Sequence, residues 1–293
     1  MTVPLLGLLV AAAATAQAPA VFRAEVDLVR VEALVTRNGS PVRGLTAGDF
    51  EVRDAGRVQT LEPIHEEETP IDVVLVLDLS QSVDGSKLSA LRDAAGAFLD
   101  GLHPSAHGAD GERAALLAFQ EEVRLLEPPT PALDRVRRAL QAVTARGSTA
   151  LHDATYSALR LLAPGPRRSA VVVFSDGLDS LSWLTSAQVV EAAARSDALL
   201  YAVVAREKGD PKNAFLSEVT RATGGRVWTA RSEGELRARF LDVLGDIRSR
   251  YVLSYVPEGD ASPGWHALEV RLKERRGEVL ARPGYYRAGP PSP

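Results

Sequence analysis

The sequence contains no cysteine. That absence excludes disulfides, thiolate metal sites, a cysteine nucleophile and a lipid-modified cysteine. A chain exported without disulfides must rely on packing, and on a metal if it binds one, and the absence favours a bacterial envelope over a eukaryotic extracellular setting. A basic excess is also missing. The formal net charge is −4, and Lys and Arg gather only in short pairs such as Arg137–Arg138 and Arg275–Arg276, which read as solvated surface. No nucleic-acid partner is expected, because phosphate binding needs a basic surface. Beyond the first twenty residues no segment approaches the roughly eighteen apolar residues of a membrane span, so no permanent membrane anchor is expected.

Catalytic signatures are absent as well. His65, His103, His107, His152 and His266 form no His-Glu-x-x-His zinc motif. His103 and His107 are four apart, but Pro104 and Gly108 argue against a helix presenting both. There is no Gly-x-Ser-x-Gly elbow and no Gly-x4-Gly-Lys phosphate loop. The chain is therefore not expected to be an enzyme.

What is present suits a folded protein. The chain has 293 residues, 45% of them hydrophobic and 25% charged, enough for one large domain or two modest ones around a sizeable core. Residues 1–20, MTVPLLGLLVAAAATAQAPA, carry no charged side chain, have a Leu/Val/Ala-rich centre and contain Ala-x-Ala triplets at Ala14–Ala16 and Ala16–Ala18. These are features of a signal peptide cleaved after Ala16, Ala18 or Ala20, although its first residues lack the usual Lys or Arg. Pro19 makes the cut after Ala18 the least favoured. The expected location is periplasmic or extracellular.

Three zones follow. Residues 21–70 are β-rich: Val29, Val31, Ala33 and Val35 alternate, Asn38-Gly39 is a hairpin signal, and Asp54-Ala55-Gly56 reads as a second tight turn. Residues 71–250 alternate apolar strands with helical segments. The strands are Ile71–Leu77, Ala114–Phe119, Val123–Leu126, Ala170–Phe174, Leu199–Val204 and Val227–Thr229. Nearly continuous apolar runs mark strands buried on both faces, so an α/β domain with a mostly parallel, doubly wound sheet is expected. Residues 251–293 return to β, with Leu268, Val270 and Leu272 alternating, and end in Gly289–Pro293, where disorder is expected. The two β flanks are expected to pair into one small sheet or sandwich, the alternative being that they pack separately.

In open α/β sheets ligands bind at the carboxyl ends of the strands. There the Ile71–Leu77 strand runs into Asp78-Leu79-Ser80-Gln81-Ser82 and the Ala170–Phe174 strand into Ser175-Asp176-Gly177, while Gly147-Ser148-Thr149-Ala150 opens a helix between them. The candidate ligands Asp78, Ser80, Ser82, Thr149 and Asp176 are all hard oxygen donors, suited to a Mg2+ or Mn2+ ion that takes about six oxygens and keeps some waters. Two carboxylates and neutral hydroxyls leave such an ion electrophilic toward an outside carboxylate. The plainer alternatives are that Ser82 or Asp84 caps the following helix, that Thr149 caps the Leu151 helix, and that Asp176-Gly177 is only a turn. Asp153 and Asp179 stand close by in sequence, as possible support or as ordinary helix-start polarity. The loops around the site are expected to be poor in Met and aromatic residues. A phosphatase using Asp78 as nucleophile would need a second acid two residues on, and that position is Ser80.

Asp78-x-Ser80-x-Ser82, Thr149 in the second loop and Asp176 in Ser-Asp-Gly resemble, in order, spacing and strand context, the metal-ion-dependent adhesion site of von Willebrand factor A domains. Gly44-Leu45-Thr46-x-x-Asp49-Phe50 and Tyr251-Val252-Leu253-x-Tyr255 resemble flanks of an exported bacterial subgroup called VWFA-related. The resemblance covers residues 71–250 and implies a Rossmann-like fold, a Mg2+ or Mn2+ site and protein adhesion. By it, Ser80, Ser82 and Thr149 coordinate directly, and Asp78 and Asp176 directly or through water. A binding module gripping a partner's Asp or Glu is the first expectation. The alternative is a structural role in which an acid from the β flanks or a neighbouring copy fills the site; the oligomeric state is left open.

Overall fold

The computed structural model describes residues 28–64, 70–103, 111–162, 165, 167–176, 178–206, 213–259, 262–274 and 277–289. The expected signal peptide, His65, His107, Gly177 and the last four residues of the tail lie outside them.

The N-terminal flank forms β1 (Val29–Arg37), β2 (Ser40–Pro41), β3 (Phe50–Asp54) and β4 (Arg57–Val58). Asn38-Gly39 and Ala55-Gly56 each supply the two consecutive positive φ angles of a two-residue hairpin turn, at 52° and 78° and at 46° and 83°. The central zone then alternates β5 (Ile71–Asp78), α1 (Ser86–Asp100), β6 (Arg113–Phe119), β7 (Val123–Thr130), α2 (Leu133–Gln141), α3 (Leu151–Leu161), β8 (Arg168–Ser175), α4 (Ser186–Ala194), β9 (Leu199–Ala205), α5 (Ala214–Thr223), β10 (Val227–Ala230) and α6 (Glu233–Arg248). The C-terminal flank adds β11 (Arg250–Tyr255), β12 (Gly264–Leu272), β13 (Glu278–Leu280) and β14 (Gly284–Arg287).

The central sheet runs in the order β10-β9-β8-β5-β6-β7, parallel throughout except for the antiparallel edge strand β7. Its middle strand explains the apolar run seen in the sequence. All eight residues of β5 are buried, because Val73, Leu75 and Leu77 pack toward α1, α2 and α6 while Val74 and Val76 pack toward α3, α4 and α5. Each such side chain contributes about 1.5–3 kcal/mol on full burial.

The flanks pair with each other in two sheets. β1 lies between β11 and β13, and β12 lies between β3 and β14. Val31, Ala33, Val35, Phe50, Val52 and Tyr255 belong to the core that the two sheets share, so the arrangement is a small sandwich. The two flank segments singled out in the sequence touch in it: the Tyr251 hydroxyl donates to the Val42 carbonyl (2.8 Å) and accepts from the Leu45 amide (3.2 Å), and the Phe50 and Tyr251 rings lie 5.3 Å apart.

The sandwich sits at the amino-terminal end of the parallel sheet. Arg168, the first residue of β8, pairs with Glu32 of β1 at 2.5 Å and donates to the Ile247 carbonyl. Buried Arg250 bonds the Tyr201 hydroxyl and the Glu32, Leu280 and Gly224 carbonyls. Arg250 therefore belongs to the sandwich junction and opens β11, one residue before the boundary set from sequence. The carboxyl-terminal end of the sheet is left to the loops.

Candidate metal centre

Asp78 closes β5 and is fully buried. Its Oδ1 accepts the Ser80 backbone N–H at 2.9 Å and its Oδ2 accepts the Ser175 hydroxyl at 2.7 Å. The first bond bends the chain out of the strand into a 3-10 turn, Gln81–Val83. The turn brings the Ser80 and Ser82 hydroxyl oxygens to 3.0 Å, and Ser82 donates to Asp176 Oδ1 at 2.7 Å. Asp176 reaches that point because β8 lies beside β5 in parallel register.

Thr149 arrives on a third segment. The Arg146 amide donates to the Leu79 carbonyl (2.8 Å) and the Gln81 amide to the Gly147 carbonyl (3.1 Å), tying this loop to the Asp78 turn. Gly147 has φ +76°, and an added Cβ would lie 3.1 Å from Glu121, so a glycine is needed for the approach. The Ser180 and Leu181 amides both donate to the Thr149 carbonyl, and the Ser180 hydroxyl accepts the Thr149 amide. The hydroxyl of this buried threonine makes no hydrogen bond among the described residues.

The five residues singled out in the sequence thus stand on three adjoining loops, with Ser80, Ser82 and Asp176 linked directly. Helix capping does not account for them: α1 is capped by Gly85 and α3 by Ala150, neither through a side chain. Asp84 accepts only the adjacent Gly85 amide. Asp153 and Asp179 act on the neighbouring loop. Asp153 accepts the Trp183 and Leu184 amides, and Asp179 accepts the His152 amide and the Ser182 hydroxyl, fixing residues 179–184 over the start of α3.

Two acids share this small volume. Burial pushes the Asp78 carboxyl up from its ordinary value; hydrogen bonds from Ser80 and Ser175 oppose that shift, and the nearby Asp176 charge adds to it. The donor set fits a hard divalent cation: two carboxylates, three hydroxyls, no nitrogen or sulfur, and one hydroxyl still unpartnered. No group of three or more His, Cys, Asp or Glu that could hold a metal gathers among the described residues, here or elsewhere, so the candidate site depends on its hydroxyls.

Two features escaped the sequence reading. Lys87, in the first turn of α1, places Nζ 3.1 Å from Asp176 Oδ2. The loops are also not devoid of aromatics: Trp183, on the pinned 179–184 loop, is 95% exposed, with Leu178 and Leu181 exposed nearby in sequence. A lone lysine five residues past Ser82 was a usable signal. The exposure of Trp183 was not, since an isolated tryptophan reads equally as core. A 290 Å³ cleft lined by Leu79, Gln120, Arg124, Leu126, Val143 and Arg146, among others, opens beside these loops and includes none of the five residues.

The family model for the von Willebrand factor type A domain matches residues 73–178. Among solved structures, a von Willebrand factor type A protein from Catenulispora acidiphila aligns with a TM-score of 0.53 and 14% identity over 86% of this chain and 75% of that one. The vWF domain of the type V pili tip protein Mfa5 from Porphyromonas gingivalis aligns at 0.51 and 14% over 66% and 98%. The mussel byssus proximal thread matrix protein 1 with a zinc-occupied MIDAS motif aligns at 0.51 and 17% over 63% and 47%. No curated protein matches the chain. At these identities the structural likeness is one of fold, and it agrees with the family match and the strand order. Residues 73–178 match the von Willebrand factor type A domain model, and the α/β unit has a von Willebrand factor type A-like fold.

Proposed function

We propose that the chain is an exported binding protein whose Asp78, Ser80, Ser82, Thr149 and Asp176 hold one divalent cation, Mg2+ or Mn2+, and through it an Asp or Glu of a partner protein. The observation that carries this reading is the convergence of Ser80, Ser82 and Asp176 within hydrogen-bond distance, beside a buried, oriented Asp78 and a Thr149 hydroxyl that makes no hydrogen bond among the described residues. When bound, the ion supplies an electrophilic point that a carboxylate from outside can complete. The protein's part is positioning. Asp78 fixes the Ser80 turn, Ser82 and Asp176 hold each other, and the Thr149 loop is anchored to both Leu79 and Ser180.

Binding is favoured over catalysis because Ser80 stands where a phosphatase would need its general acid. Among the described residues the β sandwich packs at the far end of the sheet. That placement supports an acid arriving from another molecule, a partner protein or a neighbouring copy, over one supplied by the chain's own flanks. Export rests on residues 1–20 of the sequence, and assignment to the VWFA-related subgroup on the flank segments around Leu45 and Tyr251. No helix among the described residues is long and apolar enough to cross a membrane.

Calorimetric titration of Mg2+ and Mn2+ into wild type and Asp78→Asn tests the reading. Binding in the wild type that is lost in the variant is expected; unchanged binding in the variant would overturn the site. A pull-down with and without chelator then tests for the acidic partner.

A further inference from the structure

Lys87 stands out among the groups around the site. Its ammonium is 3.1 Å from Asp176 Oδ2, the oxygen not used by Ser82, whose hydroxyl takes Oδ1. The Asp176 side chain is only 5% exposed whereas that of Lys87 is 44% exposed. The carboxylate is therefore fixed, while the lysine lies along the surface on a flexible four-carbon stem that can withdraw into water. Asp176 meets Lys87 and Asp78 stands beside Asp176, so the three residues carry a formal charge of −1 and sum to +1 with a divalent ion.

We propose that Lys87 is a tethered competitor of the metal: its ammonium occupies Asp176 when no divalent ion is bound, and its charge lowers the affinity of the site for that ion. This inference rests on the metal-binding reading above and assigns a role to a residue outside the five ligands. The same charge has a second consequence. With the ion in place, Lys87 leaves the site net positive, which favours an anionic group from outside over a neutral one.

Repulsion between an ammonium and a divalent ion a few ångströms away amounts to about tenfold in affinity even at the dielectric of water. Mn2+ titrated calorimetrically into the full chain, as wild type, Lys87→Met, Lys87→Arg and Asp78→Asn, tests this. Lys87→Met is expected to bind Mn2+ about tenfold more tightly than wild type. Lys87→Arg, which keeps the charge, stays within about twofold of wild type, and the Met-to-wild-type ratio shrinks as salt is raised. Equal or weaker binding by Lys87→Met, with wild type binding and Asp78→Asn not, overturns the role of Lys87 and leaves the metal site standing. Binding by Lys87→Met alone supports both inferences, with the lysine acting as a full block. Absence of binding in all four proteins overturns both. Thermal unfolding in chelator verifies that each variant is folded.

Discussion

The central strand β5 carries an aspartate near each end, and the two are handled in opposite ways. Asp72, at the sandwich end, is buried and receives Arg113 on both of its oxygens and Arg167 Nε on Oδ1 at 2.7 Å. Asp78, at the loop end, is buried more completely yet receives only neutral donors, the Ser80 amide and the Ser175 hydroxyl, with a second acid close by. Removing a carboxylate from water is costly unless cations and hydrogen bonds replace the lost hydration. At the first end the chain supplies those cations itself, so the charge is used up in holding the fold. At the second it supplies hydroxyls and one half-exposed lysine, and negative charge is left for something from outside. One strand therefore carries an acid that arginines of the chain neutralise and an acid that receives neutral donors, and the neighbouring loops make the difference.

The comparison can be broken at either end. The largest loss of stability is expected from Arg250→Met at the sandwich junction, about 3 kcal/mol, because a buried guanidinium leaves three carbonyls and the Tyr201 hydroxyl without their donor. Denaturant unfolding measures it, and Mn2+ affinity should be unchanged. Asp72→Ala should cost somewhat less, about 2 kcal/mol, since the two arginines it strands are partly exposed and can rehydrate. Metal binding is again expected to survive.

Asp78→Asn should invert this pattern. Mn2+ affinity falls by more than about tenfold, while stability in chelator stays within about 1 kcal/mol of wild type. The sign of its pH dependence sharpens the point. Because burial raises the Asp78 pKa, the folded state holds this proton more tightly than the unfolded chain does. Stability contributed by the group therefore falls as pH rises from the ordinary aspartate range through the raised value. In chelator, the stability of Asp78→Asn relative to wild type should rise across that window; a flat difference would mean that Asp78 is hydrated. The smallest effect is expected from Trp183→Ala, within about 0.5 kcal/mol for so exposed a side chain, with Mn2+ binding intact. A larger loss would show that the indole packs on the fold.

The strands β5, β6, β8 and β9 were legible as apolar runs because helices cover both faces of a parallel sheet, and burial of that kind writes itself into consecutive residues. The hairpin at Asn38-Gly39 was legible for a different reason: two positive φ angles in succession restrict the residue types. The five candidate ligands were legible as candidates because Asp78 closes β5, Ser80 and Ser82 stand in the turn after it, and the other two precede or follow recognisable elements. The capping alternatives were plausible one by one in sequence, and backbone geometry puts Gly85 and Ala150 at the caps of α1 and α3.

The sequence by itself determined the class of the domain and the edge of the sheet where five oxygen-bearing candidate ligands stand. These follow from local periodicity and from residue type, and both survive without knowledge of what lies across the fold. Only the tertiary structure decided that β1 and β12 each join strands from both flanks, that Arg250 locks the sandwich to the sheet, and that Lys87 meets Asp176 across 89 residues of sequence. Those contacts depend on how helices and loops close over the sheet, and side-chain spacing along the chain carries no record of that closure.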